Sequence, residues 1–346
     1  MAPKLLRPGF VRRSPCPQCD LPVAPNDLRC LACGCGLVFD PFAGRIRRLE
    51  DATPCRHRDR LGCSWQASSG GACESCARTA VVPNLDDAQN VTRLARLEAA
   101  KRLALLAHLR FGLRLPSRED HPEGLVFELV DDVVHPDGTV EAAMTGHLAG
   151  TIRVAVAEAD EVERVERKVA MRERFRTLVG HFRHELGHYF WDRLVRDAGA
   201  LDAFRERFGD ERVDYGEALA RYHAEGAPSD WASRFVSRYA SAHPWEDFAE
   251  TWAHVIHVAD ALDTAADHGL HVRDTPRVED PWREASAQSL VDAWVPLALA
   301  TNGLGRSLGQ PDLYPFVLTP TVTSKMQLVL DLVADARRAE TTSSAA

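Results

Sequence analysis

The sequence predicts an α+β fold in which a small cysteine-rich module precedes a mainly helical domain with a small sheet. All nine cysteines lie between Cys16 and Cys76. Residues 1–85 carry 12 Lys or Arg against 7 Asp or Glu, whereas the later residues carry 30 against 43. Helical periodicity begins only after this basic, cysteine-rich part. We therefore expect two domains, at 1–82 and 83–340.

Composition and apolar runs exclude several classes of protein. The 346 residues are 45% hydrophobic and 27% charged, as is ordinary for a water-soluble protein. The first residues, MAPKLLRPGFVRRS, lack the apolar run of a secretion signal. The stretch LVDAWVPLALA is interrupted by Asp292 and is too short to span a bilayer. We expect a cytoplasmic protein without membrane contact, where a reducing environment favours metal-bound cysteines over disulfides.

The first cysteines have the spacing of a structural zinc site. Cys16 and Cys19 form one CxxC pair, and Cys30 and Cys33 form a second. Two such turns place four thiolates around one tetrahedral ion and leave no open position. Cys35 follows directly and leaves open which thiolate completes the site. The spacing predicts a zinc ribbon.

A second structural zinc site is expected from Cys55, Cys63, Cys73 and Cys76. Only the last two have the CxxC spacing, and His57 is an alternative ligand in place of one cysteine. The segment 1–80 has too little apolar periodicity to fold unaided, which favours bound metal over free thiols. We therefore expect one or two structural zinc ions.

The same module carries a group of arginines: Arg45, Arg47, Arg48, Arg56, Arg58 and Arg60. They could bind nucleic acid or an acidic protein, or form the solvated face of a docking module. Trp65 stands alone as an aromatic residue among them, so single-stranded nucleic acid is not favoured. Nucleic acid is therefore the minor alternative to a protein partner.

The later region is predicted to be helical with two strands. Apolar residues three or four positions apart from Leu94 to Leu109 predict a helix. The short alternating runs GLVFELVDD and GTIRVAVAEAD predict strands. A long helix is expected from about 158 to 196. Further helices are expected at about 202–208, 214–224, 230–241, 245–267, 286–302 and 324–338.

The segment HFRHELGHYFW, residues 181–191, carries two histidines four residues apart. On a helix, His184 and His188 lie on one face and can direct two ring nitrogens at one ion. Glu185 borders that ion without having to bind it, as suits a general base acting on water activated by zinc. A helix with solvated histidines is the alternative. Apolar neighbours such as Phe182 indicate burial, which argues against it.

A third ligand is expected from YASAHPWEDFAETWAHVIH, residues 239–257. Glu246 is the candidate ligand, and Glu250, one helical turn later, could hydrogen-bond a ligand histidine. A solvated acidic face is the alternative, but Trp245 and Trp252 indicate that this helix is built for burial. The other ionisable residues nearby are His243, Asp247, His254 and His257.

HELGH followed by a helix carrying EDFAE resembles the gluzincin branch of zinc metallopeptidases, which includes thermolysin and lethal-factor-type toxins. The resemblance implies a zincin-like domain with a catalytic zinc bound by His184, His188 and Glu246. It implies that Glu185 is the general base and that Glu250 orients a ligand histidine.

The resemblance also singles out Tyr239, seven residues before Glu246. In lethal-factor-like members a tyrosine at this spacing donates a hydrogen bond to the oxyanion of the tetrahedral intermediate. A tyrosine that only packs in the core is the alternative for Tyr239.

Several segments together resemble a bacterial family of zinc-binding metallopeptidases with an N-terminal zinc ribbon. They are CPQC, CLACG, LVFDP, CSW, AKRLALL, TGHLAGTIRVAVAEAD, HFRHELGHYFWDRLV, FGDERVDYGEAL and HPWEDFAETWAHVIH. The resemblance implies one catalytic zinc beside the structural ones and a peptide or protein substrate.

We therefore expect a zinc-dependent peptidase whose ribbon serves docking or recognition. An inactive zinc-stabilised interaction protein and a ribbon-led nucleic-acid-associated regulator are the alternatives. The sequence specifies neither the substrate nor whether cleavage is internal or terminal.

Overall fold

The computed structural model describes residues 14–68, 70–135, 137, 139–161, 164 and 177–345. Helices and small sheets make an α+β protein, as the sequence predicts. The chain divides into two compact units between residues 171 and 172. Within the described ranges, no helix has the length and apolar character needed to cross a bilayer.

The first unit begins with two short hairpins. β1 (Ser14–Pro15) pairs antiparallel with β2 (Pro22–Val23), and β3 (Leu37–Asp40) pairs antiparallel with β4 (Arg45–Arg48). A short helix, α1 (Arg58–Leu61), follows. The large buried apolar side chains here include Leu37, Val38, Phe39 and Trp65. So small a core needs a further constraint, and the cysteines are the residues available to supply one.

A four-stranded sheet and a long helix complete the described part of this unit. The elements are β5 (Thr79–Val81), α2 (Ala88–Arg110), β6 (Val126–Val130), β7 (Val133–Val134), β8 (Val140–Glu141), β9 (Gly146–Leu148) and β10 (Thr151–Ala155). The sheet order is β5-β6-β10-β9, with β9 antiparallel to β10 and the other neighbours parallel. α2, β6 and β10 confirm the helix and the two strands predicted from apolar spacing.

A buried ion pair within α2 is hydrogen-bonded to the first strand of the sheet. Lys101 is fully buried, and its Nζ lies 2.8 Å from Glu98 Oε1. Thr79 of β5 donates to the same oxygen at 2.6 Å. A buried lysine needs such partners, so α2 is fixed to the strand that follows the cysteines. The boundary expected between 82 and 83 lies inside the first unit, and the two-domain division stays a prediction.

The second unit is helical. Its described helices are α3 (Leu178–Trp191), α4 (Leu201–Phe208), α5 (Tyr215–Glu225), α6 (Trp231–Arg234), α7 (Pro244–Asp267), α8 (Ala287–Ser307) and α9 (Pro320–Ala345). Most of the predicted helices are present with ends shifted by a few residues, and α9 is longer than expected at both ends.

The prediction of one long helix from 158 to 196 is wrong at its start. Thr177 is extended, and its Oγ1 accepts a hydrogen bond from the Gly180 N–H at 3.0 Å, so α3 begins at Leu178. Val156–Ala159 is a 3₁₀ turn, and most of the segment between that turn and Thr177 lies outside the described residues. Beyond Trp191 the chain continues through a π-helical turn, Asp192–Arg196.

The prediction of one continuous helix at 230–241 is also wrong. It is interrupted after α6 because Phe235 is extended, with φ −129° and ψ 149°. A separate 3₁₀ turn, Tyr239–Ser241, then leads to His243, whose ring accepts a hydrogen bond from the Trp245 N–H at the start of α7.

The core of the second unit is centred on the crossing of α3 and α7. Phe190 of α3 stacks on Trp252 of α7, with ring centroids 4.8 Å apart. The helices approach closely at Gly187, where an added Cβ would lie 2.8 Å from the Ala249 Cα. Because that contact is with backbone, no side-chain rotation can relieve it. Glycine at 187 is therefore required by the helix spacing.

We expect Gly187→Ala to reduce the free energy of unfolding by about 1–3 kcal/mol, because it forces α3 and α7 apart. Gly303→Ala is the matched control, since Gly303 lies in α8 and an added Cβ there meets nothing within 4 Å. That control should be neutral or more stable, because alanine favours the helix by up to about 1 kcal/mol. Denaturant unfolding of both variants measures the difference, and equal stability would contradict the close crossing.

Candidate metal centre

Two helices bring the predicted ligands together. His184 and His188 lie one turn apart on α3, and Glu246 lies in the first turn of α7. The His184 and His188 Nε2 atoms are 3.2 Å apart. Glu246 Oε2 lies 3.0 Å from the first and 3.5 Å from the second. Ligand atoms at zinc–nitrogen distances around a tetrahedral ion are about 3.3 Å apart, so these three atoms fit one zinc ion.

The two oxygens of Glu246 have different surroundings. Its side chain is 1% exposed, and Oε1 accepts a hydrogen bond from the Tyr215 hydroxyl at 2.6 Å. Oε2 is buried and has no hydrogen-bond donor of suitable geometry among the described residues. A buried carboxylate oxygen that faces two ring nitrogens without such a bond is what a cation would satisfy.

A second carboxylate fixes the orientation of His184. Glu250 Oε1 lies 2.8 Å from His184 Nδ1, on the side of the ring away from Glu246. Burial lowers the pKa of His184, but the neighbouring carboxylates of Glu246 and Glu250 outweigh it and raise that pKa well above the usual value. Burial raises the pKa of Glu250, but His184 outweighs it and lowers that pKa to about 2. The site therefore stabilises positive charge at His184 Nε2.

Glu185 and Tyr239 lie beside this cluster. Glu185 is 8% exposed and follows His184 on α3. The Tyr239 ring centroid is 5.9 Å from that of His184. Burial, then the charge of Glu246 and further acidic groups including Glu185, raises the pKa of Tyr239 well above 10. The Tyr239 hydroxyl is consequently a protonated donor at neutral pH.

The other ionisable residues of 239–257 make contacts away from the three ligand atoms. His243 Nε2 donates to the Val213 carbonyl at 3.0 Å. Asp247 pairs with Lys325 at 2.5 Å. His254 is hydrogen-bonded to the Tyr314 hydroxyl at 2.7 Å, and His257 accepts from Arg183 at 2.7 Å.

Tyr215 is the contact that sequence reasoning missed. It lies 31 residues before Glu246, at the start of α5, so no local spacing relates the two. The segment FGDERVDYGEAL, which contains it, was one of those that carried the family resemblance. That was the available signal, but it did not indicate a role for this tyrosine.

The first four cysteines form one cluster. Cys16 Sγ lies 3.7 Å from Cys33 Sγ, and Cys19 Sγ lies 3.6 Å from Cys30 Sγ. Four thiolates around a tetrahedral zinc are about 3.8 Å apart, so this group could hold one ion. The thiol of Cys35 contacts the Gly36 carbonyl at 3.4 Å instead, so Cys35 stands outside the cluster.

The later cysteines form a second, fully buried cluster of Cys55, Cys63, Cys73 and Cys76. Cys63 Sγ lies 3.6 Å from Cys73 Sγ and 3.8 Å from Cys76 Sγ. The backbone N–H of Cys73 donates to Cys55 Sγ at 3.3 Å, as suits a thiolate acceptor. His57 is not in this cluster, and its ring accepts from Arg56 instead.

Most of the arginines in this module contact residues of the module or the segment just after it. Arg58 donates to the Leu37 carbonyl at 2.8 Å and to the Leu28 carbonyl at 2.7 Å. Arg47 donates to the Asp51 carbonyl, Arg60 to the Leu85 carbonyl, and Arg48 pairs with Glu50. These contacts explain the arginines without a nucleic-acid partner, which stays a hypothesis.

Comparison with known proteins identifies the family. Residues 90–332 match the model of a family described as "Putative zinc-binding metallo-peptidase". Similar proteins from Mycobacterium bovis and Mycobacterium tuberculosis, each called an uncharacterised protein, are 39% identical over 330 residues. The alignments cover 92% of this chain and 94% of each relative. No solved structure gives a significant match. The chain belongs to this family of zinc-binding metallo-peptidases.

Proposed function

We propose that the protein is a zinc-dependent peptidase of the gluzincin type, with a zincin-like catalytic domain. The observation that supports this best is the convergence of His184 Nε2, His188 Nε2 and Glu246 Oε2 at distances of 3.0–3.5 Å. Three protein ligands leave one position for water or substrate, which distinguishes a catalytic zinc site from a closed structural one. The substrate is a peptide or protein.

Each neighbouring residue has a separate task in this proposal. A bound zinc would lower the pKa of a water molecule to about 7 and polarise the peptide carbonyl. Glu185 takes the proton from the attacking water and passes it to the leaving amine. Tyr239 donates a hydrogen bond to the carbonyl oxygen as negative charge develops there. Glu250 accepts from His184 Nδ1, so Nε2 faces the ion.

We further propose that residues 1–82 are a zinc ribbon with two structural ions, which serves docking or recognition. Both cysteine clusters have the separations of tetrahedral thiolate sites. Thiolates in this number suit a reducing compartment, so we assign the protein to the cytoplasm. The catalytic and structural sites together would bind about three zinc ions per chain.

We expect Glu185→Gln to retain its zinc and to lose hydrolysis by about 100-fold or more, because glutamine cannot accept the proton. A library of quenched fluorescent peptides measures the activity, and elemental analysis measures the zinc. Glu217→Gln is the matched control, because Glu217 is an exposed carboxylate on α5. A Glu185→Gln variant that cleaves as fast as the wild type would contradict the general-base role. A zinc-loaded wild type that cleaves no peptide would favour an interaction protein.

We expect Cys73→Ser to lose about one zinc per chain and to unfold the first unit at lower temperature, since serine is a poor zinc ligand. Cys35→Ser is the matched control, because Cys35 lies outside both clusters. It should keep the zinc content and the melting temperature of the wild type. The cluster assignment would be wrong if Cys35→Ser, rather than Cys73→Ser, lost the ion.

A further inference from the structure

Tyr215 contacts the ligand carboxylate from outside the three-atom cluster. Its hydroxyl donates to Glu246 Oε1 at 2.6 Å. Its ring lies against His243 and Trp245, with centroids 5.2 Å and 5.9 Å away. A tyrosine hydroxyl can donate one hydrogen bond, and a carboxylate is its strongest kind of acceptor partner.

Several hydrogen bonds hold the segment before α5, and they position Tyr215 beside Glu246. Arg205 donates to both oxygens of Glu211, at 3.0 Å and 2.5 Å. The Val213 carbonyl accepts from His243 Nε2, and His243 also caps α7, the helix that carries Glu246. Asp214 then caps α5 by accepting from the Glu217 N–H at 2.8 Å. The donor and the helix bearing its acceptor are therefore joined through His243.

The consequence concerns how many oxygens Glu246 offers to a metal. A carboxylate can bind through one oxygen or through both. Binding through both would fill a position that a catalytic zinc needs for water or substrate. The Tyr215 hydrogen bond occupies Oε1, whereas Oε2 faces the two histidines. Oε1 of the carboxylate is therefore held by an orienting hydrogen bond, and Oε2 is left to bind a metal ion.

We propose that Tyr215 is a positioning residue that holds Glu246 as a one-oxygen ligand. This rests on the proposed zinc site, but it does not depend on which substrate is cleaved. Partners that orient metal ligands from outside typically change metal affinity or activity by about 10–100-fold when removed. The same chemistry holds His184 through Glu250, so both α3 and α7 present oriented ligands.

The test is the zinc dissociation constant of Tyr215→Phe, measured in the full chain by competition with a chelator. Phenylalanine keeps the ring against His243 and Trp245 and removes only the hydroxyl. Zinc binding by His184→Ala measures the contribution of the cysteine clusters, because this variant lacks only a ligand of the histidine site. Tyr314→Phe is the matched control, since it removes a tyrosine hydroxyl that contacts α7 at His254, away from the three ligand atoms.

We expect Tyr215→Phe to bind the histidine-site zinc about 10–100-fold more weakly, while Tyr314→Phe keeps the wild-type dissociation constant. Melting temperatures of both variants without added zinc report any purely structural loss. The proposal is overturned if Tyr215→Phe binds zinc like the wild type, or if both variants weaken binding equally. It is also overturned if the wild type binds no more zinc than His184→Ala. A wild type that binds zinc but hydrolyses nothing would refute only the peptidase function.

Discussion

The close approach of α3 and α7 at Gly187 is the constraint on which the candidate metal centre depends. Gly187 lies between the two histidines, and Ala249, which it faces, lies one turn after Glu246. Because the backbones meet there, candidate ligand atoms from two separate helices come within 3.5 Å of each other. Phe190 and Trp252 stack beside this contact and keep the helices at that spacing. The glycine in HELGH therefore sets the helix spacing of the site, whereas its neighbours are the residues proposed for metal binding and catalysis.

Around this crossing, the candidate ligands are oriented by hydrogen bonds from neighbouring residues. Glu250 fixes one nitrogen of His184, and Tyr215 fixes one oxygen of Glu246. In each case the remaining atom faces the common centre. Such preorganisation lowers the conformational entropy that metal binding would otherwise have to offset. The two carboxylates also make the centre electrostatically favourable for a cation.

The sequence predicted the parts of the site that depend on local spacing. Helical periodicity predicted that His184 and His188 lie on one face of a helix. The CxxC spacing predicted that the cysteines form clusters. Glu246 was proposed as a third ligand because its helix carries an acidic motif of its own. The contact of Tyr215 could not be predicted, because it joins residues of two different helices that are 31 positions apart. The start of α3 was missed because Thr177 caps the helix although the residues around it also favour helix.

We propose that the crossing of α3 and α7 holds a metal ion separate from any held by the cysteine clusters. Zinc content per chain, measured by elemental analysis on the wild type and on His184→Ala, tests it most directly. We expect about three zinc ions in the wild type and about two in the variant, because only the histidine site loses a ligand. Equal zinc content in the two proteins would contradict a metal at the crossing.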